Sequence, residues 1–329
     1  MPLVSVIMTS YNYGRYIAQA IESVLYQTFT DFELIVIDDG STDDSRAIIK
    51  RYADRDPRVR YVFHGANAGI AGTNNEGIRL SAGKYIAFVD SDDLWVRDKL
   101  ERQVDVLRKD EDLVVWSEGE IIDMHGEPLR TKARGGGRPE AAGEPDRRDR
   151  LTFTRLFGAG GKKKSGDIFR GLLQNNFILG SGMMFKKDLL GDISFNPDLK
   201  YLNDYLFNLD LARKCRFHFI SEPLIKYRLH GNNSSLRDKR GWDRDWLKFN
   251  RLVIERYGAD IPGRLMSRLL CFNGMIYARM GRVGTALGCL FRGIALYPLH
   301  VYYLLFLCYQ VANNAYRGDS PVDSSAAAT

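Results

Sequence analysis

Asp90, Asp92 and Asp93 stand within four positions of one another, directly after Tyr85-Ile86-Ala87-Phe88-Val89. The apolar run suits a buried strand, and the carboxylates do not. The acids are therefore expected where the strand leaves the core, at the C-terminal edge where open α/β sheets collect their ligands. Two carboxylates one residue apart on such a turn, Asp90 and Asp92, can hold a hard divalent cation, Mn²⁺ or Mg²⁺, that also takes phosphate oxygens. A solvated turn capping a helix over Leu94–Lys109 is the competing reading. Upstream, Asp39 follows a second apolar run and can accept from a base or ribose donor, and Tyr11 can stack on a flat ring. The chain has no Gly-x-x-x-x-Gly-Lys-Ser/Thr loop and no Gly-x-Gly-x-x-Gly fingerprint, so neither an ATPase nor a dinucleotide enzyme is favoured. A metal-bound diphosphate without such a loop points to a leaving nucleoside diphosphate, hence to glycosyl transfer.

The elements that must position these groups alternate. Strands are expected over Leu3–Thr9, Glu33–Asp38, Val59–Phe63 and from Tyr85. Helices are expected over Arg15–Gln27, Thr42–Asp54 and, after a Gly-rich loop at Asn67–Gly72, over Thr73–Leu80. Near-continuous apolar strands separated by helices call for a mostly parallel sheet covered on both faces. The loops after the strands then converge on one rim.

From Gly126 to Gly166 the pattern breaks into Gly, Pro and charge, expected to be an insertion or lid with a short helix near Leu151–Phe157. The net charge of +6 is concentrated there: Arg130 to Arg170 carries twelve Lys/Arg against five Asp/Glu. Such a patch, with Lys162, Lys163 and Lys164 at its end, suits an anionic partner. Nucleic acid fits poorly, because the basic residues share one loop without interleaved aromatics. Order resumes with a helix over Asp167–Asn175, a strand over Phe177–Phe185 that includes Gly180-Ser181-Gly182, a helix over Tyr201–Cys215 and a strand over Phe217–Ile220.

Beyond Trp242 the chain is expected to be helical to about Asn314, with a helical hairpin near Tyr277–Pro298. Leu296–Val311 is apolar and aromatic but shorter than the roughly 20 residues of a membrane span. It reads as a buried helix or an interfacial membrane contact. The expected divisions are 1–125, 126–166, 167–240, 241–318 and a disordered tail, 319–329. Cys215, Cys271, Cys289 and Cys308 lack paired metal spacing and fit buried thiols in a reducing compartment. Met-Pro-Leu-Val-Ser-Val-Ile reads as a first strand, not as a signal peptide.

Val4-Ser5-Val6-Ile7-Met8-Thr9-Ser10-Tyr11-Asn12, Ser23-Val24-Leu25-Tyr26-Gln27-Thr28, Asp38-Asp39-Gly40-Ser41-Thr42-Asp43, Leu80-Ser81-Ala82-Gly83-Lys84-Tyr85 and Asp90-Ser91-Asp92-Asp93 resemble the signature blocks of family 2 glycosyltransferases. The resemblance covers residues 3–95 and resumes over Asp167–Ser235. It implies the GT-A fold, an α/β, Rossmann-like, mixed but mostly parallel sheet flanked by helices, here with a helical C-terminal extension. It also implies an inverting transferase with a nucleotide-sugar donor, UDP-sugars being the family's commonest, and a divalent metal. Thr9, Tyr11, Asp39, Asn67, Asn74 and Ser91 would hold the donor. Asp90 would lie near the ribose or the metal, Asp92 would be the chief metal ligand, and Asp93 would serve the turn. In Asn203-Asp204 the resemblance implies Asp204 as general base; an N-terminal-turn carboxylate is the plainer alternative. In Tyr227-Arg228-Leu229-His230-Gly231-Asn232, His230 would meet metal or diphosphate and Arg228 would offset phosphate charge. Gly182, within Gly180-Ser181-Gly182, would leave room for the donor sugar.

Two positions depart from the family's pattern. Asn74 stands where many relatives have Arg, which leaves dTDP- and GDP-sugars open, and Asn203 stands in place of Glu beside the base. Without a Gln-x-x-Arg-Trp motif, one sugar is expected to be added per acceptor, a glycan or polyprenyl-linked sugar in surface polysaccharide synthesis. The expected place is the cytoplasm, at the inner face of the cell membrane, with self-association through the C-terminal helices left open. A catalytically inactive scaffold subunit and a sugar-nucleotide nucleotidyltransferase are the alternatives.

Overall fold

The computed structural model describes residues 1–130, 150–158, 162–231, 233 and 238–305. Arg134–Pro139, Cys308, the aromatic run past Leu305 and the tail 319–329 lie outside these residues. The chain divides into two compact units, Met1–Arg237 and Asp238–Thr329.

The first unit carries eight strands in one sheet: β1 (Val4–Ser10), β2 (Phe32–Asp38), β3 (Val59–Phe63), β4 (Tyr85–Asp90), β5 (Leu94–Trp95), β6 (Leu113–Ile122), β7 (Met184–Lys186) and β8 (Arg216–Arg228). Their order is β3-β2-β1-β4-β7-β6-β8-β5. The first four pair in parallel, β7 is antiparallel to both β4 and β6, and β8 is parallel to β6 and antiparallel to β5.

Between the strands run α1 (Ile17–Leu25), α2 (Ser45–Ala53), α3 (Ile70–Leu80), α4 (Lys99–Leu107) and, after β6, the short α5 (Phe153–Leu156) and α6 (Phe169–Leu172), then α7 (Asn203–Lys214). Alternation within β1 explains why both faces need cover. Val4, Val6 and Met8 pack with Ile17, Ala20, Ile21 and Val24 of α1. Ile7 points the other way, against Gly77 of α3, where an added Cβ would come 2.4 Å from Ile7 Cγ2. Only glycine allows that approach.

The strand order reverses between β1 and β4: from β1 the chain proceeds outward to β2 and β3, then returns to the opposite side as β4. Ligands of open α/β sheets bind in the crevice outside the carboxyl ends of strands at such a point. Tyr11–Gly14 and Asp90–Asp93 emerge there, with Thr9 opposite Asp90 in register.

Several elements differ from the sequence expectation. Leu94–Trp95 is not helical but pairs with Lys226 and Ile225, and the helix starts at Lys99. The helix α3 starts at Ile70, because Gly69, at φ +81°, already turns the chain into it. Gly180–Gly182 is one 3-10 turn before a three-residue strand. The last strand runs to Arg228 through Pro223, which sits at a break in register where a missing N–H is tolerated. Strand β6 had no counterpart in the expectation. The roots of the insertion pair as bridges, Ile122 with Pro128, Arg130 with Arg150 and Glu120 with Thr152. Lys162 and Lys164 lie over the rings of Phe177 and Phe219.

The second unit contains α8 (Lys239–Tyr257), α9 (Gly263–Arg279) and α10 (Val283–Leu296). The last two form an antiparallel hairpin held close by glycine. A Cβ on Gly274 would meet Leu290 Cγ at 2.9 Å, and one on Gly293 would meet Cys271 Sγ at 2.6 Å. The Ser267 hydroxyl donates to Gly293 O at 2.6 Å and lies 2.7 Å from His300 Nδ1. Leu296, Leu299, Val301, Tyr302 and Leu305 are exposed, against the expectation of a buried helix. Among the described residues no helix is long and apolar enough to cross a membrane.

Candidate functional site

The loops after β1 and β2 brace each other. Asn12, at φ +60°, receives Thr42 N on its side-chain oxygen and donates its own N–H to Ser41 Oγ, both at 2.8 Å. Gly14 N donates to Asp43 Oδ2 at 2.8 Å. Tyr11 is left about half exposed. Asp39 is buried, and its carboxylate accepts Ala68 N at 2.8 Å and Gly69 N at 2.9 Å. Its backbone oxygen accepts Asn67 Nδ2 at 3.1 Å. So Asp39 and Asn67 do come together, but Asp39 also shapes the loop that enters α3. Thr9 ends β1 beside Asp90, and Asn74 is buried on α3.

At the end of β4 the acids occupy distinct environments. Asp93 is 1% exposed. It accepts Ser181 Oγ at 2.6 Å and Arg228 N at 3.0 Å, so it ties the acid turn to β8 and caps no helix. Asp90 Oδ2 lies 3.2 Å from the same Ser181 hydroxyl. Burial, then the neighbouring Asp92, raise the Asp90 carboxyl above the usual range, and Asp204 adds to the repulsion. Burial, then the charges of Asp92 and Asp90, raise Asp93 well above that range. Asp92 is buried too, and its carboxylate meets His230 Nε2 at 3.0 Å and the Tyr13 hydroxyl. His230 is held by stacking on Tyr16, 4.9 Å between centroids, and by its N–H to Asn233 Oδ1. Beside this pair a cavity of about 180 Å³ is lined by Asn12, Tyr13, Arg15, Tyr16, Asp43 and Met124.

Arg228 is engaged within the protein. It is 1% exposed; Nε donates to Asp92 O at 2.8 Å, Nη2 donates to Gln19 Oε1 at 2.9 Å, and the guanidinium lies 4.9 Å over the Tyr16 ring. It is a brace for the acid turn. The Cβ side of Gly182 is filled by protein: a Cβ there would meet Ile225 Cδ1 at 3.0 Å and Ser117 O at 3.3 Å, whereas Gly180 has open space. The 3-10 turn is held from behind by Trp95 Nε1 to Ser181 O at 3.1 Å and Gln103 Nε2 to Gly182 O at 2.7 Å. Lys99, fully buried over Trp95, orients Gln103 through a 2.6 Å hydrogen bond.

Asp204 lies in the first turn of α7, where Asn176 Nδ2 donates to it at 3.2 Å. Burial raises its carboxyl to about 6, against the lowering effect of backbone N–H groups at the helix start. The Asp204 charge reaches Asp90, so the two ends of the rim share one field. Asn203 is turned inward to Lys200 O.

Among the described residues no three His, Cys, Asp or Glu side chains converge as a protein-only metal site. Asp92 and His230 supply two potential ligand atoms, and the hydroxyl of the adjoining, buried Ser91 has no hydrogen-bond partner among the described residues. That donor set fits a hard cation that takes its remaining ligands from a bound diphosphate. Sequence reading missed Tyr13, Tyr16 and Gln19, whose roles depend on a chain return 200 residues later, and Asn176, which no spacing distinguishes.

Residues 5–190 match the family profile described as Glycosyl transferase family 2. An uncharacterized glycosyltransferase of Rickettsia bellii is 30% identical over 251 residues, 76% of this chain and 32% of that protein. The chain thus spans about a third of that relative's length. A putative teichuronic acid biosynthesis glycosyltransferase, TuaG, of Bacillus subtilis is 29% identical over 76% of this chain and 88% of its own length. The structure of S. aureus TarS 1–349 in complex with UDP-GlcNAc is similar at a TM-score of 0.66 and 18% identity, covering 97% of this chain and 92% of that one. A mannosyltransferase of Pyrobaculum calidifontis, PcManGT, in complex with GDP-Man and Mn²⁺, is similar at 0.53 and 18% identity over 97% and 88%. The likeness establishes the fold, a curled, mixed sheet of the GT-A type.

Proposed function

The chain belongs to glycosyl transferase family 2, and from that premise we propose that it moves one sugar, with inversion, from a nucleoside diphosphate donor to a hydroxyl of a glycan or lipid-linked acceptor. The observation that carries this reading is Asp90. Beyond burial, the charges of Asp92 and Asp204 both raise its carboxyl. That coupling supports a metal-holding carboxylate and a proton acceptor within one electrostatic field.

Asp92 and His230 would hold Mn²⁺ or Mg²⁺. When bound, the cation neutralises charge on the leaving diphosphate. The protein's own residues do the rest. Tyr11 offers a face to the base, and Asp39 presents the loop 65–69 towards the nucleoside. Asp204 accepts the proton of the attacking hydroxyl; a carboxyl near 6 is ionised at neutral pH and still basic enough to serve. The relative named for teichuronic acid biosynthesis and the UDP-GlcNAc complex support a UDP-sugar donor and a surface polymer as the product.

The acceptor is proposed to be held at the inner face of a membrane. Leu299 and Leu305 are 72% and 66% exposed. From Ile261 to Gly318 the sequence has no Asp or Glu, while Arg264, Arg268, Arg279, Arg282 and Arg292 stand among apolar residues. That combination suits anionic headgroups.

Release of nucleoside diphosphate from UDP-, GDP- and dTDP-sugars, with and without Mn²⁺, tests the reading in wild type and Asp92→Ala. Metal-dependent turnover of one donor, lost in the variant, is expected. A chain that binds no donor would be a scaffold, and the transferase reading would fall.

A further inference from the structure

His64, which follows β3, takes no part in the proposed reaction, yet it is built into the nucleoside end of the rim. Its side chain is 15% exposed. Nδ1 is 2.7 Å from Asp39 Oδ1, and Nε2 is 2.6 Å from Glu76 Oε2. Ionised carboxylates only accept, and a neutral imidazole carries one N–H. Both contacts are hydrogen bonds only when both ring nitrogens are protonated. A neutral ring would set a nitrogen lone pair against one of the carboxylates.

The surrounding charges favour that state. Arg79 lies behind Glu76, with Nη2 3.3 Å from Oε1. Arg46 of α2 donates to the His64 backbone oxygen and, at 2.8 Å, to Asp38 Oδ1, so it reaches the backbone and not the ring. The His64 N–H donates to Asp38 O at 2.9 Å. Asp39 and Glu76 are thus the ionisable groups that meet the ring. Burial alone would lower the imidazole pKa, but the hydrogen bonds to Asp39 and Glu76 outweigh it and raise the pKa above its ordinary value.

The tie has consequences for a ligand because of what Asp39 holds. Asp39 receives Ala68 N and Gly69 N, and so fixes the loop that leads into α3. Gly40, at φ +85°, brings its backbone so close that a Cβ would lie 3.0 Å from Asn67 N. Glu76 sits on α3 itself. One imidazolium therefore links the end of β2, the loop and α3.

We propose that His64 acts as a cationic positioning residue for the donor nucleotide, clamping Asp39 and the loop 65–69 into the arrangement that receives the nucleoside. The proposal rests on the reading of this rim as a nucleotide-sugar site. Its sign follows from the raised pKa: the clamp is complete below the ordinary imidazole range and is lost as pH rises through the raised value. Metal binding and an Asp204 base both gain as pH rises, so nucleotide affinity separates the clamp from catalysis.

The experiment is calorimetric binding of UDP, GDP and dTDP to the full chain between pH 6 and 8.5 at fixed Mg²⁺. It compares wild type, His64→Gln and His64→Arg, with the ¹⁵N imidazole spectrum of the wild type recorded alongside. The spectrum is expected to show both His64 nitrogens protonated at pH 6. Wild-type affinity is expected to fall roughly tenfold on the alkaline side, the scale of one charge-assisted hydrogen bond. His64→Gln is expected to bind roughly tenfold more weakly at pH 6, without that limb. His64→Arg, a permanent cation, is expected to recover part of the affinity and to lack the limb. A singly protonated ring at pH 6 overturns the proposal even if both variants fail to fold. So does an alkaline limb unchanged in His64→Gln. Nucleotide binding that ignores pH and His64 removes the clamp and leaves the transferase reading standing. Binding of no nucleotide by any form removes both.

Discussion

His230 Nε2 lies 3.0 Å from Asp92 Oδ2, across 138 residues of chain. Neither residue is held by chance. Asp92 is fixed through its backbone by Arg228, and His230 is fixed by stacking on Tyr16. In the proposed reading both side chains would turn to a cation whose remaining ligands come from the substrate. Asp92→Ala is expected to lower donor turnover by roughly 10²-fold or more, the scale of several kcal/mol of charge stabilisation. His230→Ala is expected to raise the Mn²⁺ concentration needed for half-maximal rate, with the saturated rate less affected. Initial rates in a metal titration after chelation check both. Equal metal dependence in all three proteins would refute the assignment.

Asp204 makes a prediction of opposite sign for activity and stability. Its carboxyl is raised to about 6, chiefly by burial. A base must be deprotonated, so the rate at saturating donor should rise with pH through about 6 and level off above it. Asp204→Asn should abolish that limb and cost roughly 10²- to 10⁴-fold in kcat while donor affinity holds. A folded pKa above the unfolded one means that ionisation weakens the fold between those two values. The neutral Asn is therefore expected to raise Tm at pH 7.5. A variant that loses both activity and Tm would mark Asp204 as a structural carboxylate.

Arg228 is expected to matter through packing. It is fully buried and makes hydrogen bonds to Asp92 O, Gln19 Oε1 and Met124 O. Arg228→Met leaves those oxygens without a donor, at about 1–3 kcal/mol of desolvation cost for each that water cannot reach. Arg228→Lys keeps the charge and loses the planar fork, so it should recover little. Thermal unfolding should show both variants melting several degrees lower. If Arg228→Lys matched wild type in Tm and turnover, the brace would be refuted.

Much of this architecture was legible in sequence. The parallel half announced itself because strands buried on both faces read as continuous apolar runs, and their ends in Asp38-Asp39 and Asp90 marked the rim. The second half hid for physical reasons. Strand β6 alternates Trp116, Ser117, Glu118 and Gly119, and its buried Glu118 is satisfied by Thr154 N, the Thr154 hydroxyl and Gly119 N. No local signal shows that. Leu94–Trp95 looked helical because its strand partner lies 130 residues later. Arg228 holds the backbone of Asp92, and Gly182 packs against Ile225 and Ser117, contacts that only distances reveal.

The two glycines of Gly180-Ser181-Gly182 provide a test of such contacts. Gly182→Ala should cost about 1–3 kcal/mol, since its methyl would press on Ile225 and on Ser117 O. Gly180→Ala meets nothing within 4 Å and should leave Tm unchanged. Denaturant midpoints for the pair decide it. A larger loss for Gly180→Ala would place the crowding on the wrong residue.

The membrane reading can be decided on the exposed face of the second unit. Leu299, Tyr302 and Leu305 are exposed beside a run that lacks any acid. Each apolar side chain that leaves water contributes at roughly 25 cal/mol per Å² of buried area, and each nearby Arg adds about 1 kcal/mol at an anionic surface. Co-sedimentation with vesicles of phosphatidylcholine, with and without phosphatidylglycerol, should show binding only to the anionic set, weakened as salt rises. Leu299→Ser with Leu305→Ser should weaken binding without lowering the rate on a soluble acceptor analogue. Arg264→Glu with Arg268→Glu should weaken it further at low salt. Binding equal for both vesicle types, or unaltered in both double variants, would remove the membrane from the reading. A dimer in equilibrium sedimentation that the leucine substitutions dissolve would assign the face to a second copy of the chain.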